Sequence, residues 1–193
     1  MAALRIPAED KLLLEPASIA LFLRDYGIYF QQWPVAGRIG EGASATEILE
    51  AYEPEITTLK GRGGYITADV IDVTPDTPHL QAMLDRFNKE HTHAEDEVRF
   101  IVEGRGLFHI HPQSGPVFSI EVAAGDLINV PAGTKHWFDL CSDRRIRAIR
   151  LFKEQAGWTP IYTESGVASD YEPLCFGPNT IPARAGRLSL SPA

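Results

Sequence analysis

The sequence predicts a mainly β protein, an antiparallel β-barrel with a few N-terminal helices. Three observations point there. From His91 to about Phe152, short alternating or apolar runs are separated by EGRG, HPQSGP, AAGD, PAGTK and CSDRR, the cadence of a sandwich or barrel. Upstream, two stretches carry helical patterning instead. The chain has 193 residues, 44% hydrophobic and 23% charged, which is enough to bury a core within a single domain spanning 1–193.

Taken in order, the β-branched and aromatic residues of SIALFLRDYGIYFQQWPV place an early strand around Gly27 to Trp33. Good helix formers from Ala45 to about Lys60 predict a helix that Pro54 splits or kinks. YITADVIDV reads as a strand. In TPDTPHLQAMLDRFNKEH, Asp76 or Thr77 is the capping candidate, and Leu80, Met83, Leu84 and Phe87 form a buried helical stripe. Residues 1–69 thus form a mixed helix and strand part packing on the barrel, residues 70–158 the barrel core, and residues 176–193, rich in Pro, Gly and Ser, an extended or disordered tail.

Composition excludes several classes. A net charge of −8 without a basic face argues against nucleic acid. No apolar run is long enough to span a bilayer, and MAALRIPAEDKLLLEP lacks an uninterrupted signal-type apolar core. Cys141 and Cys175 are too few and too isolated for a disulfide framework or a cysteine-rich zinc site. The expectation is a reducing, cytoplasmic setting and a monomer, since nothing suggests a coiled coil or a long exposed hydrophobic edge.

The segment EHTHAEDEVRFIVEGRGLFHIH holds four of the six histidines and five carboxylates. His91 and His93, two apart, share a strand face roughly 6.6 Å apart and can converge on one ion. Glu97 in a straight strand would lie roughly 13 Å from His93, out of reach of a shared metal. A bend at Ala94, Glu95 and Asp96 is therefore required, bringing Glu97 back beside the histidines at the start of an antiparallel strand. Alternation then turns Arg99 and Ile101 inward with Glu97, and Val98, Phe100 and Val102 to the other side. Gly104 and Gly106 predict the next tight turn. In GDLINVPAGTKHWFD, His136 follows a Pro-Ala-Gly turn and shares its face with Phe138 and Leu140. Arg150, between apolar neighbours on RIRAIRLF, needs an anionic partner, and with Arg99 it can receive an anionic ligand. Three imidazoles and one carboxylate suit Fe(II), Ni(II), Mn(II) or Zn(II) and leave two octahedral positions for a bidentate substrate.

These two blocks, His91-x-His93-x3-Glu97-x6-Gly104 and Gly125-x5-Pro131-x-Gly133-x2-His136, resemble the paired cupin signatures. Leu140 stands where the second often has Asn, a residue that is not a ligand. Within the cupins, HTHAEDEVRFIVEGRGLFHIH and PAGTKHWFDL resemble the acireductone dioxygenases, from about Asp69 to Trp158 and more weakly over IYFQQW. The resemblance implies a cupin-type double-stranded β-helix holding one Fe(II) or Ni(II) per chain on His91, His93, Glu97 and His136. It implies cleavage of 1,2-dihydroxy-3-keto-5-methylthiopentene with O2 in methionine salvage. Iron would give 2-keto-4-methylthiobutyrate and formate, and nickel 3-methylthiopropionate, formate and carbon monoxide. By position, Arg99 supports the bound enediolate, and Phe87, Phe138 and Trp158 form pocket wall.

Other readings stay open. The ligands equally suit another cupin oxygenase or isomerase, or a non-catalytic small-molecule-binding cupin. Asp96 is either a solvated turn residue or a base or partner to a ligand histidine. Arg150 either binds substrate or pairs with a core carboxylate, and Trp158 either walls the pocket or packs a loop. His109 and His111, with no following carboxylate at the right spacing, are expected in structural or solvent-facing roles, and His79 on the surface.

Overall fold

A computed structural model describes residues 1–154 and 158–175. The chain opens with β1 (Ala3–Ile6), a 3-10 turn and β2 (Lys11–Leu13). Next come α1 (Pro16–Arg24), β3 (Tyr29–Gln32), α2 (Ala45–Ala51), α3 (Glu53–Gly63), β4 (Thr67–Val73) and α4 (Leu80–Phe87). The strands that follow are β5 (His91–Thr92), β6 (Glu97–His111), β7 (Phe118–Ala123), β8 (Asp126–Val130), β9 (Lys135–Leu140), β10 (Ile146–Phe152) and β11 (Ile161–Tyr162).

All pairings are antiparallel, as expected of a barrel of this class. One sheet runs β11-β5-β9-β6-β7-β1-β2. The facing one runs β4-β10-β6-β8-β3. The long β6 belongs to both: Glu97 to Phe100 pair with β8, and Arg105 to Ile110 pair with β7. The turn expected at Gly104 and Gly106 is therefore absent. Gly104, at φ 73°, instead carries the bend that lets one strand change sheets, beside a register shift against β10. A Cβ there would meet the Arg145 carbonyl oxygen at 2.1 Å, so the position also needs a residue without one.

Apolar residues of both sheets meet in one cluster that includes Ile101, Phe108, Ile110, Ile120, Ile128 and Ala148, closed on one side by Ile19 and Leu23 of α1. A second cluster lies on the other side of β6. Val98, Phe100 and Val102, which alternation turned away from Glu97, pack there with Trp33, Ile48, Tyr52 and Ile56. The split helix is seen as α2 and α3 meeting at Tyr52, with Pro54 in the first turn of α3. Ser44 and Glu47 make a reciprocal capping box on α2.

Two N-terminal expectations need correction. The strand expected around Gly27 to Trp33 is preceded by a helix: Pro16 opens α1, and its Ile19 and Leu23 pack as a helical face. Neither Asp76 nor Thr77 caps α4: exposed His79 takes that position at φ 56°, while Thr77 Oγ1 accepts from the Thr74 amide at 2.9 Å. The stripe itself holds, with Leu80 buried and Met83, Leu84 and Phe87 packed against the barrel core. Among the described residues no helix is long and apolar enough to cross a membrane. The tail at 176–193 lies outside the described residues.

Candidate metal centre

Cross-strand register brings the first two ligands together, because His91 on β5 pairs directly with His136 on β9. Their rings lie 4.6 Å apart, and His93 stands 4.8 Å from His91 and 5.1 Å from His136. The bend at 94–96 is present, with a difference from the hairpin expected. β5 does not pair with β6; the bend carries the chain across to the facing sheet, and Glu97 reaches the histidines from opposite them. Their ligand atoms all lie within 4.8 Å of one another, and all four residues are at least 97% buried.

The tautomers follow from the backbone. Nδ1 of His91 donates to the Lys89 carbonyl (2.6 Å), that of His93 to Thr159 (2.9 Å) and that of His136 to Thr134 (2.8 Å). A carbonyl only accepts, so each Nδ1 holds the proton and each Nε2 directs a lone pair inward. Glu97 Oε2 lies 3.0 Å from His93 Nε2 and 3.1 Å from His136 Nε2. Acceptors facing acceptors repel unless an extra proton or a cation sits among them. Two ligands bound at about 2.1 Å and at right angles to one another stand about 3.0 Å apart, so the spacing suits a single ion.

Electrostatics agree. Burial alone would push the Glu97 carboxyl up, but the Arg99 guanidinium, with Nε 2.7 Å from Oε1, and the two histidines outweigh it and hold it well below the usual range. Burial, helped by the neighbouring His136, pushes His91 down to about 4, so it is a neutral ligand at pH 7.

Arg99 faces the interior as alternation required, its guanidinium 4.4 Å from the Phe138 ring centroid and 5.4 Å from those of Phe108 and Trp158. Next to it is a narrow cavity of about 40 Å³ walled by Phe87, Phe138, Leu140, Met83 and Ile71, with Arg150 at its edge. Arg150 is also held by Asp69, its cross-strand partner, through bonds of 2.8 and 2.6 Å. That partner was missed by name, since the sequence does not reveal which strand lies beside β10. Trp158 packs on Phe152 at 4.7 Å and donates from Nε1 to the Asp96 carbonyl. The Asp96 carboxylate accepts from the Ala132 amide, the Tyr65 hydroxyl and the Lys153 ammonium. The carbonyls of Lys89, Thr134 and Thr159, which aim the ligands, have no side-chain signal by which a sequence could reveal them.

His109 and His111 are elsewhere. His109, 2% exposed, stacks on Trp137 at 4.8 Å on the outward side of β6, and His111 Nδ1 pairs with buried Glu90. Cys141 and Cys175, expected to be separate, are joined in a disulfide. The isolation of the two in sequence, 34 residues apart, does not hold in space.

Comparison with known proteins is consistent. The ARD/ARD' family model matches residues 11–160. The acireductone dioxygenase of Picosynechococcus sp. is 41% identical over 90% of this chain and 99% of its own length. That of Pseudomonas syringae pv. tomato is 42% identical over 86% of this chain and 91% of its own. Among solved structures, an acireductone dioxygenase from Bacillus anthracis with a cadmium ion in its active centre superposes with a TM-score of 0.79 at 36% identity, covering 84% of this chain and 98% of that one. With its cupin-type barrel and a metal-binding site of three histidines and a glutamate, this chain belongs to the ARD/ARD' family of acireductone dioxygenases.

Proposed function

We propose that the chain cleaves 1,2-dihydroxy-3-keto-5-methylthiopentene with O2 as a step of methionine salvage, using one Fe(II) or Ni(II) held by His91, His93, Glu97 and His136. The observation that carries this is the convergence of three inward Nε2 lone pairs and a carboxylate beside a buried arginine and an apolar cavity. Held by these four residues, the ion would supply Lewis-acid stabilisation of the enediolate's negative charge. Every atom of substrate and O2 is recovered in 2-keto-4-methylthiobutyrate and formate, or in 3-methylthiopropionate, formate and carbon monoxide. No reducing cosubstrate is needed.

The protein's own groups supply the rest. Arg99, buried and already fixed against Glu97, stabilises the charge of the enediolate, with Arg150 reinforcing it from the cavity edge. Phe87, Phe138 and Trp158 exclude water and receive the methylthio chain. Asp96 takes the enediol proton. Burial would raise its pKa, but the Lys153 ammonium and the bonds from Ala132 and Tyr65 outweigh it and keep it ionised. A reducing, cytoplasmic setting fits this reading, because both Fe(II) and an enediol are readily oxidised.

The test is anaerobic mixing of Fe(II)-loaded protein with synthetic acireductone, followed by air. Rapid loss of the enediol absorbance with equimolar formate is expected; no loss above the protein-free rate would refute the reading. Repeating it with Ni(II) and measuring carbon monoxide assigns products to metals.

A further inference from the structure

On the outward face of the β7-β6-β9 sheet, away from the histidine centre, a second group of ligand atoms converges. Glu121 on β7 and Asp139 on β9 both pair across β6 with Leu107. Two residues beyond Asp139, Cys141 projects to the same side, turned away from His136, Phe138 and Leu140. The segment after β11 crosses this face, Tyr171 packing on His109 and Trp137, and delivers Cys175 to Cys141. Both sulfurs and a Glu121 carboxylate oxygen lie within 4.8 Å of one another; Cys141 and Glu121 are buried and Cys175 half-buried.

We infer that, once its disulfide is reduced, this cluster is a second metal site, taking Zn(II) through Cys141, Cys175 and Glu121 with water as fourth ligand. A dithiol reductant supplies two electrons and two protons and itself becomes a disulfide, while the S–S bond is replaced by two thiols. Zinc then displaces both thiol protons and binds the thiolates. Three protein ligands and a water complete a tetrahedral ion once the S–S bond has opened and the two sulfurs have moved apart, and the Arg105 guanidinium, 3.6 Å from Glu121, stays beside the carboxylate and offsets the added negative charge. The two centres sort metals by softness: the histidine centre has no sulfur, whereas this one has two.

The site also has a structural consequence. The segment it pins carries Thr159, whose carbonyl aims His93, and β11, which pairs with β5. In a reducing compartment, where the disulfide opens, zinc holds the same two points together.

Cobalt(II) reports the site directly, because only thiolate ligation gives a sulfur-to-cobalt charge-transfer band in the near ultraviolet. Full-length protein reduced with a phosphine, which binds cobalt poorly, is expected to take up a second equivalent of Co(II) with that band; oxidised protein takes up one without it. Zinc should displace the band. Cys141→Ser should remove both the band and the second equivalent while the first equivalent, without the band, is still taken up, and Glu121→Gln should weaken the second equivalent more than about tenfold. Uptake of a single equivalent by the reduced wild type, or a band that survives in Cys141→Ser, overturns the proposal. The comparison of oxidised and reduced wild type stands whether or not the variants fold.

Discussion

His93 Nδ1 donates to the carbonyl of Thr159, 66 residues away, at 2.9 Å. A ligand near the start of the barrel is thus aimed by a backbone group that follows its last long strand. The three ligand imidazoles share this device, and it fixes which nitrogen faces the ion.

The ligand set predicts a simple metal dependence. His91→Ala and His136→Ala should each cut metal content to less than about a tenth of wild type, measured by elemental analysis after dialysis, and abolish turnover. Chelation should lower the melting temperature of the wild type, with the shift growing as the logarithm of added metal during reconstitution. An unchanged metal content in His91→Ala would refute the assignment.

Arg99→Lys keeps the charge but loses the planar contact with Phe138 and the Nε placement on Glu97 Oε1. We expect kcat/KM to fall about 10- to 100-fold, about 1.4–2.7 kcal/mol of transition-state stabilisation, with metal content retained. Steady-state kinetics on the loaded variant decide this.

Gly106 is a packing glycine. A Cβ there would stand 2.3 Å from Phe138 Cζ, so Gly106→Ala must push that ring toward the cavity. KM for acireductone should rise about tenfold or more, the scale of a lost methylene-sized fit. The same substitution paired with Phe138→Leu should recover part of the loss, which a purely global destabilisation would not allow.

Acid sensitivity should trace in part to His109. Burial, with Arg5 nearby, pushes it down to about 4, whereas in the unfolded chain it titrates near its ordinary value of about 6.5. Between those values the unfolded state binds a proton that the native state refuses, so stability is lost as pH falls through that window. The loss from this residue approaches about 3 kcal/mol at its acid end. His109→Asn should flatten the decline of the melting temperature between about pH 6.5 and 4; an unchanged slope would mean that His109 is charged in the native state.

The metal centre was legible because alternation and bond length leave few options. His91 and His93 share a face, Glu97 cannot reach them without a bend, and His136 lies on an inward run with Phe138. What escaped depends on distant partners. Gly104 and Gly106 look like a turn from their neighbours alone; only the approach of Arg145 and Phe138 shows why they lack side chains. The residues of α1 are as compatible with strand as with helix until Leu23 and Ile19 meet the barrel. Cys141 and Cys175 sit on segments whose meeting no local pattern announces.

Because β6 is a member of both sheets, neither sheet can peel away while the other survives. Amide protons from Val98 to Ile110 should therefore exchange together, at the rate of whole-molecule opening and with no slower or faster block among them. The ion's grip then ends in one cooperative event: its carboxylate lies at one end of that strand, and the strand carrying His136 is bonded along the other.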